Sequence, residues 1–134
     1  MTVSFTAGTK TWHDEFQANL LTTTSPEDLE VNMSNSNAHR VCQALGIELD
    51  PDWCGNSDAE VFLGRVLLAL ALSPADEGIP AHEIPFGVPG RPAWTGQARF
   101  IECGHAPGYL QDRLAQLREL ADWAVANQAV VMWG

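Results

Sequence analysis

The sequence predicts one α+β domain in which strands near both ends of the chain form a small mixed sheet with three helices. Three observations predict this fold: alternating apolar residues in the first 33 positions, helical spacing of apolar residues in three later segments, and a strand–helix–strand order near the C-terminus. A length of 134 residues is typical of a single domain. Residues 1–134 are therefore expected to fold around one core.

The N-terminal segment is predicted to form an antiparallel hairpin or meander. Residues 2–5 alternate apolar and polar side chains, and Gly8 is expected to break this first strand. A second β segment spans residues 10–21, and residues 29–33 carry three apolar side chains on one face. Residues 22–28, which contain a Ser-Pro step, are predicted to form the intervening turn.

The first two helices are predicted from apolar spacing and from their cap residues. The first follows the polar residues 34–37 and ends at Gly46, since glycine is favoured just past a helix end. The second opens with a capping box, Ser57 with Glu60, and ends before Pro74. Because this second helix is apolar nearly all round, it is expected to be covered on most sides and to lie at the centre of the core.

The C-terminal part of the chain is predicted to form a strand–helix–strand unit. Residues 98–103 and 129–133 are short apolar segments that indicate strands. Between them, apolar residues recur at the spacing of one helix face: Leu110, Leu114, Leu117, Ala121 and Ala124. This order favours a βαβ unit, with a right-handed crossover between parallel strands.

Residues 74–96 are predicted to form a long loop rich in proline and glycine. Irregular segments longer than about 12–15 residues in a compact domain are usually functional or mobile. The length of this segment therefore indicates a functional role more strongly than that of any other predicted loop.

The charge balance is the most distinctive global property of the chain. Seventeen Asp and Glu residues face seven Lys and Arg residues, which gives a net charge of −10 at pH 7. Such a surface repels phosphate backbones, so direct nucleic-acid binding is not expected. It attracts basic protein surfaces, although acidity that serves only solubility is an equally open interpretation.

The expected compartment is the cytoplasm. The first eight residues lack the basic and apolar regions of a signal peptide. The longest apolar run, residues 66–72, is far shorter than the roughly 20 residues that cross a bilayer. Three irregularly spaced cysteines are typical of reduced thiols.

The favoured functional hypothesis is a non-enzymatic protein that binds a basic protein partner, in the role of a phage-encoded inhibitor, an immunity-type protein or a nucleic-acid mimic. No strong catalytic motif is present, and tryptophan in irregular segments is typical of interaction sites. The expected contact residues are Trp94, Asp76, Glu77 and Glu83. No cofactor is expected, and the chain is predicted to be a monomer or a homodimer.

Two alternative sites remain open. The turn that enters the first helix, with Ser34, Asn35, Ser36, Asn37 and Arg40, has the free amides and the cation that bind an anion or nucleotide. A less favoured alternative is a small zinc hydrolase built on Cys103, His105 and His82, because zinc binds Cys and His side chains.

Three segments carry a resemblance to other proteins. Residues 29–38 (LEVNMSNSNA), residues 62–70 (FLGRVLLAL) and the chain from 108–114 (GYLQDRL) to 131–134 (VMWG) resemble small uncharacterised proteins of actinobacteria and their phages. The resemblance covers about residues 29–134. It implies a cytoplasmic accessory protein of a phage or mobile element and carries no catalytic residues over to this chain.

Overall fold

The computed structural model describes residues 1–72, 76–84, 100–102 and 104–134. These residues form an antiparallel five-stranded sheet, three helices that contact it, and a separate two-stranded ribbon. The strands are β1 (Thr2–His13), β2 (Ala18–Thr23), β3 (Val31–Ser34), β4 (Gly55–Asp58), β5 (His82–Ile84), β6 (Phe100–Glu102) and β7 (Val130–Trp133). The helices are α1 (Asn35–Leu45), α2 (Ala59–Leu72) and α3 (Tyr109–Ala126). The predicted α+β class and the three helices are confirmed.

The long strand β1 organises the sheet. One of its edges pairs with β3 near the start and with β2 near the end, and the other edge pairs with β7, which in turn pairs with β4. The side chains of Val3, Phe5 and Ala7 are buried on the helix side together with Val131. The alternate residues of β1 face the open side, as the twofold period of a strand requires.

Strand β1 continues through Gly8, so the predicted break at this residue is wrong. A Cβ atom at Gly8 would collide with the backbone carbonyl of Thr22 and lie 2.8 Å from the Met132 side chain. Glycine is therefore present because neighbouring strands approach closely, not because the strand ends. The predicted β segment 10–21 is instead the tip of a hairpin, whose antiparallel pairing is confirmed and whose turn spans residues 14–17.

The predicted parallel crossover and mixed sheet are wrong. Strand β6 pairs antiparallel with β5, whereas β7 lies between β1 and β4 in the large sheet. Every strand pairing among the described residues is antiparallel. The order strand–helix–strand predicts a crossover only when both strands join one sheet, and here both edges of β7 are already occupied.

The caps of the first helix are confirmed. The Ser34 hydroxyl accepts a hydrogen bond from the Asn37 amide, and Gly46 ends α1 in the left-handed conformation with φ at 65°. The predicted capping box of α2 is wrong, because Ser57 lies in β4 and donates its hydroxyl hydrogen to the Asp58 carbonyl oxygen.

Helix α2 buries only one side. Phe62 and Val66 are fully buried, and Phe62 packs against the rings of Phe5 and Trp133 at centroid distances of 6.3 Å. The opposite side, with Leu68 at 60% exposure, is not covered by any described element, so the prediction of cover on most sides is wrong. The core is shared among β1, β3, β7 and the three helices. No helix in the described ranges is long and apolar enough to cross a membrane.

Candidate functional site

Several residues that the sequence assigned to separate sites meet at one point of the fold. Asn37 and Arg40 of α1, Asp76, His105 and Tyr109 line a cavity of about 60 Å³. They come from three stretches of the chain that are distant in sequence. The site therefore combines part of the predicted anion site, one predicted partner contact and one predicted zinc ligand.

Asp76 is the centre of this cluster because its carboxylate accepts two backbone hydrogen bonds. One oxygen accepts from the Leu110 amide at 2.9 Å, and the other accepts from the Gly78 amide at 3.0 Å. Helix α3 follows Gly108, which has no side chain to cap it. Asp76 therefore supplies from 34 residues away the capping acceptor that the start of α3 lacks.

The electrostatic surroundings keep this carboxylate ionised. The Leu110 hydrogen bond is the largest influence that lowers the pKa of Asp76, and the Gly78 amide and the charges of His105 and Arg40 act in the same direction. Burial opposes them, but the net direction is downward. The side chains of His105 and Asp76 are only 7% and 11% exposed, and His105 Nδ1 lies 3.5 Å from Asp76 Oδ2. The cluster thus contains a largely enclosed negative charge beside the His105 ring and near the Arg40 guanidinium.

The same cluster joins the two ends of the segment that contains β5 and β6. Ile79 and His105 exchange backbone hydrogen bonds of 2.8 and 2.7 Å. The His105 ring packs against Tyr109 at a centroid distance of 5.3 Å, and the Arg113 guanidinium lies over that same tyrosine ring. A Cβ atom at Gly78, where φ is 79°, would lie 2.7 Å from the Pro107 nitrogen, so this position requires glycine. We call this cluster of Asp76, Gly78, Ile79, His105 and Tyr109 the clasp, because its contacts join two distant parts of the chain.

Two groups of the predicted anion site are bonded within the chain itself, whereas the buried Asn35 Oδ1 has no hydrogen-bond partner among the described residues. Ser34 caps Asn37, and Arg40 donates a hydrogen bond of 3.0 Å to the Asn37 side-chain oxygen. Pockets that bind small ligands have volumes of roughly 300–1,000 Å³. The cavity beside Arg40, at about 60 Å³, is too small for a nucleotide and is bordered by the Asp76 carboxylate.

The other predicted site residues are dispersed or lie outside the described residues. Trp94 and Cys103 belong to the latter group. His82 and Glu83 are in β5, and Glu77 is exposed beside Asp76. In the described part of the chain, no three His, Cys, Asp or Glu residues are grouped so that they could hold a metal ion. Burial raises the pKa of the Cys42 thiol to about 12, which makes that residue an unreactive core side chain.

Most arginines of the described chain make contacts that hold them against the fold. Arg65 donates to the carbonyl oxygens of Leu45 and Gly46 and so caps the end of α1. Arg113 bonds Gln116, and Arg118 pairs with Asp122. The exposed carboxylates of the following residues form no ion pair with a described residue: Glu48, Asp50, Asp52, Asp58 and Glu60.

Two open grooves contain four of these unpaired carboxylates. One, of about 520 Å³, follows the end of α1 and is lined by Glu48 and Asp50 with the partly buried Leu49 between them. The other, of about 430 Å³, lies between the start of α2 and the end of α3 and contains Asp58 and Glu60. Both combine negative charge with apolar side chains, which suits a long basic side chain with an aliphatic stem.

Comparison of this chain with protein-family models, curated proteins and solved structures finds no match. The geometry and charge of the described residues are therefore the basis on which a function can be proposed. Sequence reasoning missed the capping role of Asp76, and the only local signal for it was a helix start at Gly108 without a capping side chain.

Proposed function

We propose that this protein is a non-enzymatic interaction protein that binds a basic surface of another protein through its exposed carboxylates. The observation that carries the proposal is the asymmetry of the surface charge. Arg65 is bonded to the end of α1, and Arg113 and Arg118 are bonded to neighbours on the surface of α3, whereas the carboxylates of the two grooves are exposed and unpaired with described residues. Lys or Arg side chains of a partner would neutralise these exposed carboxylates.

The groove formed by Glu48, Leu49 and Asp50 is the favoured contact. Its two carboxylates flank an apolar side chain, so a basic residue gains an ion pair and a surface for its methylene groups in one place. Exposed Glu77 adds negative charge beside the clasp. A net charge of −10 accelerates the encounter with a basic partner at low ionic strength.

In the cell this activity fits an accessory role in the cytoplasm. An inhibitor, an immunity-type protein and a nucleic-acid mimic all act by covering a basic surface of their target. The resemblance to proteins of actinobacteria and their phages accords with such a role. The clasp supports a non-enzymatic function, because the aspartate and histidine that could act in catalysis are occupied by structural contacts.

Neutralising the groove is expected to weaken binding to a basic peptide. The probe is a synthetic peptide of alternating Arg and Leu residues, and its affinity is measured by isothermal titration calorimetry at about 50 and 300 mM NaCl. The double variant Glu48→Gln, Asp50→Asn is expected to lose roughly three- to tenfold in affinity at the lower salt, since exposed ion pairs contribute about 0.2–1 kcal/mol each. Binding of the unmodified protein is expected to weaken at the higher salt.

The matched control is Glu27→Gln, Asp28→Asn in the 3₁₀ turn between β2 and β3, which changes the net charge by the same amount outside the groove. It is expected to change the affinity less than twofold, because screening limits distant exposed charges. Equal losses in both double variants would show a diffuse charge effect and contradict the groove. Absence of binding at low salt would contradict the proposed function itself.

A further inference from the structure

The hairpin tip projects from the sheet and is exposed on both faces. We call residues 9–22 of β1, the turn and β2 the arm. Trp12, Phe16 and Leu20 are 53%, 63% and 42% exposed. A two-stranded hairpin without cover is only marginally stable in water. Trp12 and Leu20 lie on opposite faces, because Trp12 is paired with Asn19 and Thr11 with Leu20, so each face of the arm exposes apolar surface.

Both edges of the arm are unpaired in the described part of the chain: the outer edge of β2, which ends the sheet, and the edge of β1 that pairs with β7 near its base. Strand β7 pairs with β1 only from Phe5 to Gly8, so no described strand covers that edge beyond Gly8. Ser4 exchanges backbone hydrogen bonds with Gly134 on this side, whereas the Ala7 carbonyl faces the opposite side. Because backbone groups alternate along a strand, the amides and carbonyls of the even-numbered residues Lys10 and Trp12 point to the uncovered edge.

The charges along the arm differ between its base and its tip. Lys10, the one lysine of the sequence, lies near the base, and Asp14 and Glu15 lie at the turn. Lys10 is exposed and forms no ion pair with a described residue. Two arms that run antiparallel therefore bring each positive base to the negative tip of the other, whereas parallel arms bring like charges together.

We propose that the arm binds the arm of a second copy of this chain, edge to edge and antiparallel, around a twofold axis at Thr11. Lys10 then lies opposite Trp12 of the second copy, and the two residues exchange both backbone hydrogen bonds. Their side chains point to the same face of the joined sheet, where the ammonium group meets the indole ring. On one diagonal Lys10 reaches Asp14 of the second copy, and on the other it reaches Lys10 of that copy.

The proposed register is compatible with the geometry of the arm. Residues opposite each other in an antiparallel pair point to one face, and a twofold axis at Thr11 pairs Thr9 with His13 and Lys10 with Trp12 in agreement with that requirement. The pairing removes an exposed strand edge, which proteins otherwise protect against uncontrolled association. Its length toward the base of the arm is limited, because β7 occupies this edge of β1 up to Gly8.

Amide exchange measured residue by residue tests this arrangement. Nuclear magnetic resonance spectra of the full chain are recorded at about 10 µM and about 1 mM, with sedimentation equilibrium over the same range. The expected result is a dimer in which the amides of Lys10 and Trp12 gain at least tenfold protection at the higher concentration. The amides of Thr9, Thr11 and His13 face β2 and are expected to keep the same exchange rates. A protein that stays monomeric at 1 mM, or a dimer whose Lys10 and Trp12 amides remain unprotected, overturns the proposal.

A charge exchange within the arm provides the second test. Lys10→Glu and Asp14→Lys each place like charges across the axis and are expected to raise the dimer dissociation constant about five- to tenfold, since each exposed pair occurs twice. The double variant K10E/D14K has the net charge of the original chain and is expected to restore the dissociation constant to within about twofold. The proposed register is overturned if the double variant keeps a raised dissociation constant while its amide exchange shows that the hairpin is still folded.

Discussion

Replacing Phe62 by alanine is expected to lower the free energy of unfolding by about 3–5 kcal/mol. The side chain is fully buried, and its ring packs against those of Phe5 and Trp133, so its removal leaves a cavity where α2 meets the sheet. The measurement is a urea titration followed by tryptophan fluorescence. The slope of the transition reports whether the two-state analysis still applies.

The control for this change is Leu67→Ala on the same helix. Leu67 is 42% exposed, and removing its side chain leaves no enclosed cavity, so we expect a loss below about 1 kcal/mol. Comparable losses for the two variants would mean that the outer side of α2 is covered as thoroughly as the inner side. That outcome would contradict the one-sided burial of this helix.

Replacing Asp76 by alanine is expected to cost about 1–3 kcal/mol at neutral pH, because it removes a helix cap and leaves the Leu110 and Gly78 amides without their acceptor. The control is Glu77→Ala, which removes the same charge from an exposed neighbour. We expect the control to change the free energy of unfolding by less than about 0.5 kcal/mol.

The cost of Asp76→Ala is expected to depend on pH. The folded protein lowers the pKa of Asp76 below its unfolded value, so its stabilising contribution is complete above the unfolded pKa of about 3.9. The contribution is lost as the pH falls through the folded pKa. Urea titrations between pH 7 and pH 3 should therefore show the difference between the two proteins narrowing at acid pH. A difference that stays constant over this range would assign the effect to packing alone.

The sequence predicted features that depend on neighbouring residues more successfully than those that depend on distant ones. The cap at Ser34 and the end of α1 at Gly46 follow from local hydrogen bonding and were predicted correctly. The role of Gly8 was mistaken because the backbone that approaches it belongs to Thr22 on another strand. Local sequence contains no information about such an approach.

The candidate site was only partly predictable for the same reason. Arg40, Asp76 and His105 were each singled out by residue type, yet their meeting depends on how α1, α3 and the intervening chain pack together. The bond from Leu110 to Asp76 joins residues 34 positions apart. The apolar composition of α2 also could not show which side is covered, because an apolar side chain has no direction until its neighbours are placed.

The antiparallel contact between β1 and β7 has a mechanical consequence. Ser4 and Gly134 exchange backbone hydrogen bonds, so the first and last residues of the chain leave the sheet side by side. A pulling force applied at residues 1 and 134 therefore acts across the strands and breaks their hydrogen bonds one after another, not all together in shear. The fold is expected to open at low force from this end. Groups attached at residues 1 and 134 would lie close together, at the end of the sheet opposite the arm.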